Sequence, residues 1–339
     1  MMKKVADYTF EKSIGKGAFS TVYLTTKKDD TKKYATKIYE RLVIDNDNNS
    51  KICLKNEISY LKFLNHPNII KFQDLKKSKD HYFLIEEYCN GGTLLEALEK
   101  YIEKYGKPFS EEIVQYFMRQ IIEAFKYIHS KKIVHKNISL YHILLNYENE
   151  DDAKNFNLMK AQIKINNFSF AEKVVDIVYS ATFNGPPHDD FNSFIGRYKD
   201  PYILSKKGYS FNEETDIWAI GCIYYEMLTG KTIFIFDEIE EKKINFEKLI
   251  YYIPISFSFE TISFINGMLQ YDKKQRLTAS ELSKHDFLNK NVNQFKKIDF
   301  DIPGKINSGM LEIDAKNNTN IWSIFNNVDK IPNDKKKEL

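Results

Sequence analysis

Three short stretches of this chain carry side chains that could do chemistry together. IGKGAFSTVY (14–23) sets Gly15 and Gly17 among small residues, a turn in which backbone amides can approach a phosphate. YATK (34–37) supplies Lys37, and NEI supplies Glu57, a cation and an anion that could pair. Taken alone, each reads as a solvated surface charge of little energetic weight. The third stretch is His135-Lys136-Asn137-Ile138-Ser139-Leu140-Tyr141-His142, followed by NNFSF (166–170) with Asn167. It offers imidazoles, amides and a hydroxyl but no carboxylate. An amide has no lone pair basic enough to take a proton at neutral pH. Hard divalent cations prefer anionic oxygen to imidazole.

These residues need elements to hold them. Residues 8–40 alternate apolar and polar with turn-like breaks, which reads as antiparallel strands joined by hairpins. LVIDNDNNS reads as a polar break, and Ile52, Ile58, Leu61 and Leu64 then fall at helical spacing up to His66-Pro67. IIKFQDL and YFLIEEY read as two more strands, and CNGG as a flexible break and a hinge. Beyond it the period is helical. Ser110 caps a stripe of Ile113, Phe117, Ile121, Ile122, Phe125 and Ile128. TDIWAIGCIYYEMLTG is a second apolar helix closed by Gly230, with shorter helices expected at 243–250, 260–270 and 278–289. ENEDDAKNFN (148–157) reads as a solvated insert, and 295–339 as a polar tail whose Ile321, Trp322, Ile324 and Phe325 pack back onto the domain or dock a partner.

Composition narrows the classes. With 25 Phe and 22 Tyr in 339 residues the chain has ample material for a core and is not a disordered polymer. Fifty basic against 47 acidic residues give +3, too balanced for a nucleic-acid footprint. No apolar run is long enough to span a membrane, and MMKKVADYTF has no signal-like apolar region. Cys53, Cys89 and Cys222 are lone cysteines, which fits a reducing compartment; we expect the cytoplasm, with the cytoskeleton as an option.

The motifs occur in a telling order: IGKGAFSTVY, YATK, Glu57, HPNII (66–70), EEYCNGG (86–92), IVHKN (133–137), NNFSF, DPY (200–202), DIWAIG (216–221) and Arg276. Over residues 8–290 this resembles a protein kinase domain, most like the calcium/calmodulin-dependent and autophagy-kinase-like Ser/Thr groups. The resemblance implies an α+β bilobal fold. A small antiparallel β lobe with one main helix (8–89) would precede a large α-helical lobe (90–290), with an extension at 1–7 and a tail at 291–339. It implies nucleotide contacts from Ile14, Gly15, Gly17, Val22, Ala35, Lys37, Glu57, Glu87, Cys89, Leu144 and Asn167. Val22, Ala35 and Leu144 would sandwich an adenine, and Lys37 would pair with Glu57 and face the phosphates. It implies a packed spine of Phe72, Leu61, His135, Phe168 and Asp216.

The same resemblance exposes what is missing. Asn137 stands where the family has its catalytic Asp, Ser139 where it has a Lys, and His142 where an Asn holds a second magnesium. Asn167-Phe168-Ser169 replaces Asp-Phe-Gly, so the metal-binding carboxylate is an amide and the loop should be stiffer. Asp200-Pro201-Tyr202 replaces Ala-Pro-Glu, which leaves Arg276 in need of a new partner. Lys136 replaces the Arg that would grip an activation-loop phosphate at a site such as Thr182 or Ser193. Glu86, at the back of the adenine site, must pair, for instance with Lys37, or raise its pKa.

Losing the base costs about 10²–10⁴-fold, and losing metal-held charge costs several kcal/mol more. The expectation is therefore a pseudokinase, a scaffold or allosteric binding module with no functional catalytic or metal site. No cofactor is required. ATP binding is weak or absent, and independent of Mg²⁺ if it occurs. The partner would be a protein such as an active kinase or a cytoskeletal assembly. The alternative is an active Ser/Thr kinase in which His142 or a displaced acid replaces the base. A small-molecule phosphotransferase is disfavoured by DIWAIG followed by Arg276.

Overall fold

The computed structural model describes residues 4–17, 19–174, 198–200, 211–233, 250–297, 306–307 and 310–314. They form two compact units, one built from residues up to 97 together with 135–173, the other from 98–134 and the described residues from 174 onward.

The first unit is built on a six-stranded antiparallel sheet: β1 (Lys4–Val5), β2 (Tyr8–Lys16), β3 (Thr21–Lys27), β4 (Lys33–Glu40), β5 (Phe72–Lys77) and β6 (His81–Glu87), in the order β1-β2-β3-β4-β6-β5. Side chains alternate between faces, so register decides what each face carries. Tyr34, Phe83 and Ile85 join Tyr8 in an apolar cluster on one face, where Thr25 and Thr36 share a 2.8 Å hydroxyl bond. The opposite face brings together Val22, Ala35, Lys37 and Glu86, because Val22 pairs with Lys37, and Ala35 with Glu86.

Helix α1 (Arg41–Asn46) and helix α2 (Asn48–Phe63) follow β4. The stretch read as a polar break is thus helical on both sides of Asp47. That residue is extended (φ −114°, ψ 113°) and its carboxylate accepts from Asn49 and Ser50 N–H, so α2 starts before the apolar run does. The buried stripe also differs from the expected one. It is Ser50, Cys53, Leu54, Glu57 and Leu61, while Ile52 is 43% exposed.

Strands β7 (Ile143–Asn146) and β8 (Gln162–Ile165) form a hairpin in the same unit, with a short exposed helix, Glu150–Lys154, in the insert between them. Ile165 N–H donates to Asn68 O and Ile70 N–H to Ile165 O. Two residues of CNGG make close contacts. Asn90 exchanges two hydrogen bonds with the Tyr147 backbone, and a Cβ at Gly91 would lie 2.6 Å from Tyr147 and 2.8 Å from Leu145.

The second unit is helical, entered through α3 (Leu94–Tyr105). Helix α4 (Glu111–Ser130) is capped by Ser110, and its expected stripe is buried except at Ile113, which is half-buried. Helix α5 (Glu213–Thr229) is buried from Thr215 to Leu228 and stops at Gly230, whose φ of +68° favours glycine. Helix α6 (Phe259–Met268) packs Phe264 against Tyr224 and Phe287.

The helix expected at 243–250 lies outside the described residues up to its last position, where Ile250 begins strand β9 (Ile250–Pro254). The polar stretch read as a tail contributes β10 (Ile306–Asn307) and β11 (Met310–Asp314). They form a sheet with β9 in the order β9-β11-β10, with Ile253 and Ile313 buried. Thr182, Ser193 and the Ile321–Phe325 cluster lie outside the described residues.

Candidate functional site

Lys37 is the centre of the site. Strand β4 places it on the sheet face opposite the tyrosine cluster, where it is 9% exposed. An ammonium has three N–H donors. Here they meet three acceptors: Glu57 Oε1 at 2.6 Å, Glu86 Oε1 at 3.0 Å and Asn166 Oδ1 at 3.1 Å. Burial alone would lower the pKa of Lys37, but the two carboxylates outweigh it and hold the ammonium charged well above its usual range.

The two glutamates differ in support. Glu57, on α2, also accepts from Tyr39 Oη at 2.9 Å and Ser169 Oγ at 3.0 Å. Burial, which would raise its pKa, is overcome by Lys37 and these hydrogen bonds, so Glu57 stays ionised below the ordinary carboxylate range. Glu86 is 1% exposed. Burial drives its pKa up to about 7; Lys37 opposes the shift and the neighbouring Glu57 charge adds to it. The pairing and the raised pKa anticipated for Glu86 both occur, because one cation serves two carboxylates.

The second cluster is neutral. His142 Nδ1 lies 2.6 Å from Asn137 O, an acceptor, so that nitrogen carries the proton, with Ser139 Oγ 3.2 Å away. His142 Nε2 then accepts from Asn167 Nδ2 at 2.9 Å. Burial pushes the pKa of His142 down to about 4, so the ring is uncharged at neutral pH. Asn167 sits at φ +65°, a left-handed conformation that asparagine tolerates better than most residues. Ser169, besides bonding Glu57, has its carbonyl near Asn56 Nδ2 (3.5 Å), which also reaches Ala171 O at 3.3 Å. These bonds tie the segment after Asn167 to α2.

The remaining predicted residues are placed as follows. Val22, Ala35 and Leu144 are all half-buried. Ile14 is 39% exposed, and a Cβ at Gly15 would touch only Val22 at 3.8 Å, so the fold itself does not require that glycine. Gly17 N–H closes a tight turn onto Ser20 O at 2.7 Å. The Glu87 carboxylate is engaged elsewhere, by Lys164 at 3.1 Å and Lys71 N–H at 3.0 Å. Cys89 is buried, which pushes its thiol pKa far up and makes it inert. Within the spine, His135 and Phe168 are fully buried with ring centroids 4.8 Å apart, and Leu61 is buried in the same unit. Phe72 is half-buried, and Asp216, in the second unit, is bonded to His129 Nε2 at 3.0 Å.

The model of the protein kinase domain family matches residues 8–288. The chain belongs to the protein kinase family. It is 32% identical to serine/threonine-protein kinase atg1 of Dictyostelium discoideum, over 87% of this chain and 41% of that protein. It is 29% identical to myosin light chain kinase A of the same organism, over 84% of this chain and 88% of the relative. Serine/threonine-protein kinase ULK1 of Homo sapiens is 29% identical over 81% of this chain and 24% of its own length. The chain therefore spans less than half the length of two of these three relatives.

Against the kinase pattern, the positions for magnesium do not fit the ion. The two side chains there, His142 and Asn167, are neutral and hydrogen-bonded to each other. Among the described residues no cluster of three metal-ligating side chains exists.

Several partners escaped the sequence reading. Asn166, just before the degenerate Asp-Phe-Gly motif, takes one Lys37 donor. Lys136 is half-buried with Glu172 as its ion-pair partner, so it is not held open for a phosphate. Arg276 is buried and gripped by both oxygens of Asp200, the second at 3.1 Å. The carboxylate that the Ala-Pro-Glu motif would place third stands first in Asp200-Pro201-Tyr202. That displacement was the available signal.

Proposed function

We propose that this kinase domain is a binding module without phosphotransfer, acting as a scaffold or an allosteric partner of another protein. The observation that carries the reading is the His142–Asn167 hydrogen bond, in which the two groups that should hold magnesium satisfy each other. Asn137 supports it, since an amide cannot take the proton of an attacking hydroxyl. His142 does not stand in as base: Nδ1 carries a proton, the Nε2 lone pair is occupied by Asn167, and burial holds its pKa at about 4. No cofactor is required for such a role.

The matched myosin light chain kinase favours a cytoskeletal partner, and the Ser/Thr kinase relatives favour an active kinase. The exposed insert around Glu150–Lys154 and the residues beyond Asp314 are the contact candidates, and truncation after Asp314 tests the latter while keeping β11 in place. Among the described residues no helix is long and apolar enough to cross a membrane.

The deciding experiment is transfer of radiolabelled terminal phosphate from ATP to protein and peptide substrates, with Mg²⁺ or Mn²⁺. No transfer above background is expected. Transfer that disappears in Lys37→Ala would establish an active kinase instead.

A further inference from the structure

The donor count at Lys37 decides what kind of ligand its surroundings can hold. A lysine that grips a phosphate must have an N–H to give. All three here are given already, to Glu57, Glu86 and Asn166. Two of the acceptors are carboxylates buried to 2% and 1% exposure, so neither can swing into water to release the ammonium. Nearby polar groups give an anion no better reception. His142 is neutral and donates to Asn137 O, and Asn167 Nδ2 donates to His142.

Local charge points the same way. Glu57 and Glu86 against Lys37 leave one net negative charge, or none when Glu86 is protonated. A polyphosphate reaching Lys37 would meet two carboxylates beside an ammonium whose donors are taken, and would be repelled there. What the same sheet face does offer is uncharged: half-buried Val22 and Ala35. Leu144 is likewise half-buried on β7, two residues from His142, whose carbonyl accepts from Asn166 N–H. Apolar side chains of this kind suit an aromatic heterocycle.

We infer that Glu86 is a specificity-determining residue: by taking the last N–H of Lys37 it makes this a site for an uncharged heteroaromatic ligand, of the nucleoside class, and closes it to nucleoside polyphosphates. The inference rests on the non-phosphorylating reading of the site and adds to it the charge class of the ligand.

The test is calorimetric titration of the full chain with adenosine and with ATP, each with and without Mg²⁺, in the wild type, Glu86→Met and Glu86→Gln. In the wild type, adenosine binds at least about tenfold tighter than ATP, and Mg²⁺ changes neither. Glu86→Met, which frees a donor, raises ATP affinity relative to adenosine about tenfold to a hundredfold, the worth of one hydrogen bond to a charged group. Glu86→Gln keeps an acceptor for Lys37 and gains less. ATP binding as tightly as adenosine in the wild type overturns the inference. So does a wild type that binds neither ligand, or an ATP affinity unmoved relative to adenosine in a folded Glu86→Met protein. If that variant does not fold, the wild-type order and Glu86→Gln decide. Tight ATP binding without transfer would sink this inference alone, whereas phosphate transfer would sink the reading beneath it.

Discussion

Each of the two units contains a cation buried with carboxylates, and the two arrangements are not alike. Arg276 meets one carboxylate, Asp200, on both oxygens, and spends its other donors on the Glu214, Gln270 and Tyr271 carbonyls. Charge is matched one to one. Lys37 instead faces Glu57 and Glu86 together, and the excess carboxylate shows itself as a Glu86 that titrates at about 7. A balanced pair fixes its own charge state. An unbalanced one holds a group whose charge state is still open, and in this protein it lies among the residues that would have met a nucleotide.

The contrast can be broken or sharpened by substitution. The largest effect is expected from Asp200→Ala, which strands a buried guanidinium and should cost about 3–5 kcal/mol in urea unfolding. A loss below about 1 kcal/mol would show that the pair is not the structural anchor described. Lys37→Met strands two carboxylates, but these can escape by protonation, so its cost should be smaller and should shrink between pH 8 and pH 5. A cost that does not vary with pH would contradict the sharing of one cation by two acids.

The third expectation concerns pH. An unfolded Glu86 gives up its proton near 4.5, whereas the folded one keeps it to about 7, so the native state binds more protons in that window and loses stability as pH rises through it. His142 has the opposite sign. Its pKa falls from 6.5 to about 4 on folding, so stability is lost as pH drops through that range. His285, lowered to about 4 by burial, acts in the same direction. Glu86→Gln removes the first contribution and should leave stability rising more steeply from pH 5 to pH 7 than in the wild type, measured by chemical unfolding at stepped pH. Identical pH profiles would place Glu86 outside the titrating set.

The smallest effect is spectroscopic. Asn167→Asp replaces the donor facing His142 Nε2 with an acceptor, which should raise the imidazole pKa above 4 in an NMR titration without creating phosphate transfer. An unmoved His142 would mean that the hydrogen bond between them is not formed in solution.

Much of this was written locally. The glycine turn, the amides at 137 and 167, and the strands and most of the helices that carry them follow from short motifs and apolar periodicity, and the pairing of Lys37 with Glu57 follows from the resemblance to protein kinases. The demand that Glu86 find a cation followed from its type and position. What stayed hidden depends on approach across long stretches of chain. Asp200 and Arg276 lie 76 positions apart, and Lys37 and Asn166 lie 129 apart. Neither pair has a local signature. The start of α2 was hidden for a different reason: Asp47 caps a turn of polar residues that composition alone assigns to a loop. Strand β11 was masked by the polar character of its neighbourhood, though Ile313 packs at 2% exposure.

That strand has a practical consequence for anyone expressing the domain. The family match stops at residue 288, yet the β9 backbone is hydrogen-bonded to Met310–Asp314 along five register positions. A protein cut at the family boundary would present β9 as a bare edge with unanswered amides and carbonyls, an invitation to self-association through strand addition. Aggregation of such a fragment would report a missing neighbour rather than an unstable domain.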